Sequence, residues 1–90
     1  MIIARRYLIG GRVQGVGFRF FAERRAAVEG VHGWIRNLPD GLVEVRLEGD
    51  QESVDRVEAS LRRGPSGARI ESFDVQDDVP TGRATGFGIR

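Results

Sequence analysis

The chain contains no cysteine and no lysine. Without cysteine, disulfides, thiolate catalysis and cysteine-ligated metal centres are excluded. Without lysine, Schiff-base catalysis and the lysine of a Walker-A loop are excluded as well. The one histidine, His32, cannot form a histidine metal cluster. We interpret it as an ordinary, partly buried or surface residue of a strand.

The sequence also lacks a strong charge of one sign and a long apolar run. Its 14 basic side chains face 13 acidic ones, which leaves a net charge of +1, without the basic excess of a nucleic-acid binder. No apolar stretch reaches the length of a membrane span, and Met1–Arg6 lacks the order of a signal peptide. We therefore expect one domain over residues 1–90, a monomer located in the cytoplasm, without a nucleic-acid or membrane partner.

Apolar periodicity and turn residues predict an alternation of strands and helices. The predicted elements are a strand over Ala4–Val13, a helix over Phe18–Glu29 ended by Gly30, strands over Val31–Asn37 and Leu42–Glu48, a helix from the cap Asp50 to Arg63, and a strand over Ala68–Asp77. Residues 79–86 form a predicted loop, and Phe87 and Ile89 belong to a short terminal strand. This order predicts an α+β sandwich in which two helices cover one face of an antiparallel sheet.

The fourth predicted element alternates strictly between apolar and charged side chains. Its apolar members are Val43, Val45 and Leu47, and its charged members are Glu44, Arg46 and Glu48. A period of two is typical of an antiparallel strand with one buried face and one face in water. We therefore expect the three charged side chains to be solvent-exposed.

A glycine-rich segment between the first strand and the first helix, Gly11–Arg19, reads GRVQGVGFR. Such a loop can point several backbone N–H groups at one anion, and Arg19 adds a planar cation suited to phosphate or carboxylate oxygens. A cation is mildly unfavourable in the first turn of a helix unless an anion sits there. The alternative is that the glycines only build a tight turn and that Arg19 is solvated.

The residues present exclude several known functions of an anion-binding loop. The loop lacks the Walker-A ending and the third glycine of a dinucleotide fingerprint, and it has no Cys, Ser, His or Asp for a phosphoenzyme. Asp77 and Asp78 form an acidic pair in a late segment, and we regard a metal site there as a minor alternative. What remains is anion binding together with a bound water. Asn37 could hold that water because an amide both donates and accepts, although Asn before a Pro-Asp-Gly turn is also ordinary turn chemistry.

Two motifs together resemble the acylphosphatase family. The first is Gly11–Arg19, and the second is Gly33–Asn37, GWIRN, continued by Asp40-Gly41, Val43 and Gly49. The resemblance covers essentially the whole chain. It departs from the family pattern at Ile35, where a smaller residue is usual, and at the chain end, which lacks an aromatic residue.

The resemblance implies a ferredoxin-like βαββαβ fold and a metal-independent, cofactor-free hydrolase of acyl phosphates. It assigns substrate binding to Arg19 and water positioning to Asn37, and it makes inorganic phosphate the product and an inhibitor. The phosphate cradle would be formed by the backbone of Gln14, Gly15, Val16, Gly17, Phe18 and Arg19. Phosphoryl transfer from a mixed anhydride has a good leaving group, so positioning and charge stabilisation can suffice.

Three other functions are compatible with parts of this pattern. A non-catalytic anion-binding regulatory module explains the loop and Arg19 but not Asn37. The amino-terminal domain of a hydrogenase-maturation carbamoyltransferase is similar, although we expect a free-standing protein from the start at Met1. An RNA-binding βαββαβ domain needs exposed aromatic residues on its central strands, and this chain has few outside its predicted core.

Overall fold

Five strands and two helices alternate along residues 1–90, all of which the computed structural model describes. They are β1 (Ile2–Arg12), α1 (Phe18–Glu29), β2 (His32–Asn37), β3 (Val43–Asp50), α2 (Gln51–Arg63), β4 (Arg69–Asp78) and β5 (Phe87–Ile89). The element order confirms the prediction from the sequence, and the boundaries differ by at most two residues. Neither helix is long and apolar enough to cross a bilayer.

The strands form one sheet in the order β4-β1-β3-β2-β5. In its register, Val45 of β3 lies opposite Tyr7 of β1 and Ile35 of β2, so the three side chains share one face. Buried residues of both helices, including Ala22 and Val57, join them in the core. The phenol of Tyr7 also donates a 2.8 Å hydrogen bond to Glu58 Oε1 of α2. Both helices therefore cover the same face of the sheet, as expected.

The sheet is mixed rather than wholly antiparallel, because β5 pairs with β2 in parallel. The segment 79–86 leaves β4 at one edge and reaches β2 at the other edge. On the way it contacts Glu48 through the N–H groups of Thr81 and Gly82. Because Glu48 alternates with core residues of β3, this segment crosses the face that the helices leave open. Because of this crossing, β5 lies beside β2 and runs in the same direction as β2.

The expectation that β3 exposes its charged side chains is wrong. Glu44 and Glu48 are only 7% and 3% exposed, because β3 is a central strand and its second face is covered. Arg6 and Arg36 form ion pairs with Glu44, and the segment 79–86 covers Glu48. We call the side of the sheet that faces away from the helices the open face. It comprises Arg6, Trp34, Arg36, Glu44, Arg46, Glu48 and Asp78.

Candidate active site

The loop between β1 and α1 depends on glycine at two positions. Gly15 and Gly17 have φ angles of 75° and 76°, a left-handed conformation that residues with a Cβ rarely adopt. Gly17 directly precedes α1 and serves as its N-cap without a side-chain hydrogen bond. These two bends turn the chain sharply from the end of the strand into the helix.

The turn leaves a row of backbone donors without partners in the chain. The N–H groups of residues 14–17 donate to no acceptor among the hydrogen bonds of turns, loops and caps, and the first N–H groups of a helix have no intrahelical acceptor. In contrast, α2 starts with Asp50, which accepts from the N–H of Glu52 at 3.2 Å. The start of α1 has no acidic residue, so its partial positive charge is uncompensated.

A cavity of about 190 Å³ lies at this turn. It is lined by Val13, Gly15, Gly17, Phe18, Arg19, Phe20 and Asn37. The structure therefore brings the two predicted catalytic side chains, Arg19 and Asn37, to one hollow from different elements. Of the predicted cradle residues, Gln14 and Val16 lie outside the lining. The guanidinium of Arg19 forms no ion pair with an acidic side chain, unlike those of Arg6, Arg36 and Arg46.

Asn37 carries an unusual oxygen. Its Oδ1 is the buried side-chain polar atom that has no hydrogen-bond partner. Such atoms are rare in folded proteins, because a protein group or a water usually satisfies them. A hollow of this size has room for a water. The site can therefore accommodate a small tetrahedral anion and a water, beside free N–H donors and a free cation.

Sequence reasoning missed two features of this site. Phe20 lines the cavity although it is 57% exposed, and the side chain of Gln14 donates to the carbonyl oxygens of Leu38 and Leu42 at 2.9 and 3.0 Å. The position of Phe20 directly after Arg19 was the available signal for the first. No local pattern reveals the second, because its partners lie 24 and 28 residues away.

The other candidate residues lie elsewhere. Nδ1 of His32 accepts a hydrogen bond from the N–H of Gly86 at 2.9 Å, as befits a structural strand residue. Asp78 accepts from Arg46 at 2.9 Å, and no third acidic or histidine side chain joins Asp77 and Asp78. The metal alternative therefore lacks a ligand set at that pair.

A larger hollow of about 510 Å³ lies on the open face. It is lined in part by Arg6, Glu44 and Asp74. Its one cation, Arg6, is already paired with Glu44, so the hollow offers no free positive charge to an anion. The smaller cavity at the start of α1 is thus the better candidate, because its positive charge and its free N–H donors suit an anionic ligand.

The chain is similar to known proteins over most of its length. The family model for acylphosphatase matches residues 5–89. A protein named acylphosphatase from Methylococcus capsulatus is 51% identical over 82 residues, which cover 91% of this chain and 89% of that protein. The crystal structure of acylphosphatase from Bacillus subtilis superposes with a TM-score of 0.93 at 29% identity and covers 100% of this chain and 99% of its own.

The same fold also occurs within a much longer protein. The crystal structure of T. kodakarensis HypF matches 98% of this chain with a TM-score of 0.85 and 30% identity, but the match spans only 12% of HypF. The chain described here spans most of the length of its curated relatives.

Proposed function

The chain belongs to the acylphosphatase family, and from that premise we propose that it hydrolyses acyl phosphates to a carboxylate and inorganic phosphate at the cavity of Arg19 and Asn37. Membership of this family means that the chain is a hydrolase. We add to this the role of each residue in the reaction.

In the first step, the loop binds the phosphoryl group. The N–H groups of residues 14–19 and the guanidinium of Arg19 bind its non-bridging oxygens. Their free donors and uncompensated positive charge support this role. In a loose phosphoryl-transfer transition state, negative charge is spread over these oxygens. Donors that are fixed before the reaction stabilise that charge without reorganisation.

In the second step, a water held by Asn37 attacks phosphorus. Oδ1 accepts a hydrogen bond from the water, which orients a lone pair of the water towards the phosphorus, opposite the leaving carboxylate. The bond between phosphorus and the carboxylate oxygen breaks, and the bonding pair leaves with the carboxylate. The proton of the water passes to a phosphate oxygen. No general acid is required, because the carboxylate leaves without being protonated, and no general base is required, because a phosphate oxygen takes the proton of the water.

The observation that carries this proposal is that Arg19 and Asn37, which belong to different elements, line one cavity. The buried Oδ1 of Asn37 has no partner within the chain. An amide that served only the following turn would use this oxygen within the turn. A regulatory anion site would need Arg19 and the loop but no second group that accepts from water.

Three finer expectations accompany the proposal. Inorganic phosphate, as product, competes with substrate for the same cradle. Activity does not depend on a metal, since Arg19 and the N–H groups supply the charge stabilisation. A monomeric state and a cytoplasmic location stay predictions from the sequence.

The test is phosphate release from benzoyl phosphate by purified protein, with phenyl phosphate as the matched ester and with or without a chelator. We expect turnover of the acyl phosphate alone, competitive inhibition by inorganic phosphate, and unchanged rates after metal removal. Phosphate binding without turnover would instead establish the regulatory module. Loss of activity with the chelator and its recovery with Mg²⁺ would contradict the metal-independent mechanism.

A further inference from the structure

We propose that Gln14 is a positioning residue: its side-chain amide ties the phosphate cradle to the segment that follows Asn37 and so fixes the distance between bound phosphate and attacking water. This inference rests on the proposed function and deepens it. Gln14 would touch neither substrate nor water with its side chain, and would act through Asn37.

The two hydrogen bonds of Gln14 hold the turn between β2 and β3 at both of its ends. Nε2 donates to the carbonyl of Leu38 at 2.9 Å and to that of Leu42 at 3.0 Å, so both hydrogens of one nitrogen are used. The same two residues close the turn, because the N–H of Leu38 donates to the carbonyl of Leu42 at 2.8 Å. Gln14 therefore binds a turn whose two ends are already joined by a backbone hydrogen bond.

In the sheet, the two halves of the site are connected only through the strand between them. The cradle follows β1 and Asn37 ends β2, but β3 lies between these strands. At the usual spacing, strands separated by one neighbour are about 10 Å apart. The side chain of Gln14 spans this gap across the start of β3, which begins at Val43. Its two bonds are the only hydrogen bonds between residues 13–17 and residues 37–42.

Sequence neighbours transmit this contact to the reacting groups. Gln14 is followed by Gly15, which lines the cavity, and Leu38 is preceded by Asn37, which lines it from the other side. A misplacement of about 1 Å between reacting groups can lower a rate by about 10²-fold. The bonds themselves are neutral, and the side chain is exposed, so their loss should cost little stability.

The decisive variant is Gln14→Met, which keeps the length of the side chain and removes both donors. Gln76→Met, an exposed glutamine of β4 without side-chain hydrogen bonds, is the matched control. For Gln14→Met we expect kcat on benzoyl phosphate to fall by about 30- to 100-fold. KM and the calorimetric Kd for inorganic phosphate should stay within about threefold, because the cradle is one contiguous segment. The control should match wild type.

A double-mutant cycle separates positioning from a merely structural role. If Gln14 acts through Asn37, combining Gln14→Met with Asn37→Ala should lower kcat no further than Asn37→Ala alone. Multiplied losses would overturn the proposal, and so would a kcat of Gln14→Met within threefold of wild type in a protein that circular dichroism shows to be folded.

An independent readout keeps this result separate from the enzymatic assignment. The side-chain amide resonances of Asn37 should shift in Gln14→Met and not in Gln76→Met, whether or not the wild type hydrolyses benzoyl phosphate. If wild type is inactive and these resonances shift, the proposed function fails and the tether stands. If they do not shift, the tether is refuted.

Discussion

The two faces of this small protein treat their charged groups in opposite ways. On the open face, Arg46 donates to Glu48 at 2.8 Å and to Asp78 at 2.9 Å, and Glu44 receives Arg6 and Arg36. At the cavity, Arg19 has no acidic partner, a row of N–H groups is free, and Asn37 Oδ1 is unsatisfied.

The difference separates polar groups that stabilise the fold from polar groups that we propose bind a ligand. Satisfied groups on the open face hold the segment 79–86 against the sheet. Groups that are preorganised for a ligand commonly contribute little to stability. Changing an open-face group should therefore reduce stability and spare activity, whereas changing a cavity group should reduce activity and spare stability.

The strongest contrast is between two arginines. Arg19→Ala removes the only cation that lines the cavity, and we expect kcat/KM for benzoyl phosphate to fall by at least about 10³-fold, at the upper end for loss of one preorganised donor. The melting temperature should stay within a few degrees of wild type, because no ion pair is lost. Steady-state kinetics and thermal melts measure both quantities.

Arg46→Met is the matched variant on the open face. It keeps the apolar stem but leaves Glu48 and Asp78 without their shared cation, and breaking such a partly buried network costs roughly 3 kcal/mol. The melting temperature should drop by roughly 10–20 °C, with near-normal turnover where the variant is folded. If Arg19→Ala keeps its activity, or if folded Arg46→Met loses it, the proposed difference between the cavity and the open face is wrong.

A second prediction concerns the unsatisfied oxygen. Asn37→Ala should lower kcat by about 10²-fold, because the attacking water loses its acceptor, and it should leave the Kd for inorganic phosphate within about threefold. Its melting temperature should not fall, since no satisfied hydrogen bond of the Asn37 side chain is removed. Calorimetry with phosphate, beside kinetics, separates the two roles. Equal losses in kcat and phosphate binding would place Asn37 in the cradle instead.

Local signals explain how much of the fold the sequence could predict. The α2 start follows from Asp50, whose side chain caps the helix, and the end of α1 follows from Gly30. The burial of Glu44 and Glu48 could not be read from alternation, because it depends on arginines from other strands and on a segment more than 30 residues later. The parallel pairing of β5 depends on that same crossing.

The same distinction between local and long-range signals applies to the site. The glycines and Arg19 adjoin in sequence, so the loop could be predicted as an anion site from that segment alone. The proximity of Asn37 to Arg19 required the family resemblance, since no local pattern joins the end of β2 to the start of α1. The amide of Gln14 was hidden for the same reason: its partners are close only after β3 has placed the turn.

Glu48 gives the open face a pH dependence. Desolvation by burial would raise the pKa of this carboxyl, but the N–H groups of Thr81 and Gly82 and the guanidinium of Arg46 outweigh it and lower the pKa to about 2, from an ordinary 4.5. A lowered pKa stabilises the fold above pH 4.5, and this contribution is lost as the pH falls from there towards 2.

The smallest predicted effect follows from this shift. Between pH 6 and pH 3, protonation linked to Glu48 should remove about 2 kcal/mol of unfolding free energy, or roughly 10 °C in melting temperature. Glu48→Gln, which cannot titrate, should melt lower at pH 6 and show a flatter pH profile. Glu71→Gln, at an exposed carboxylate 3.8 Å from Arg69, is the control and should keep the wild-type slope. If both variants have the same slope as wild type, Glu48 does not anchor the segment 79–86 through its charge, and the open face is held by packing alone.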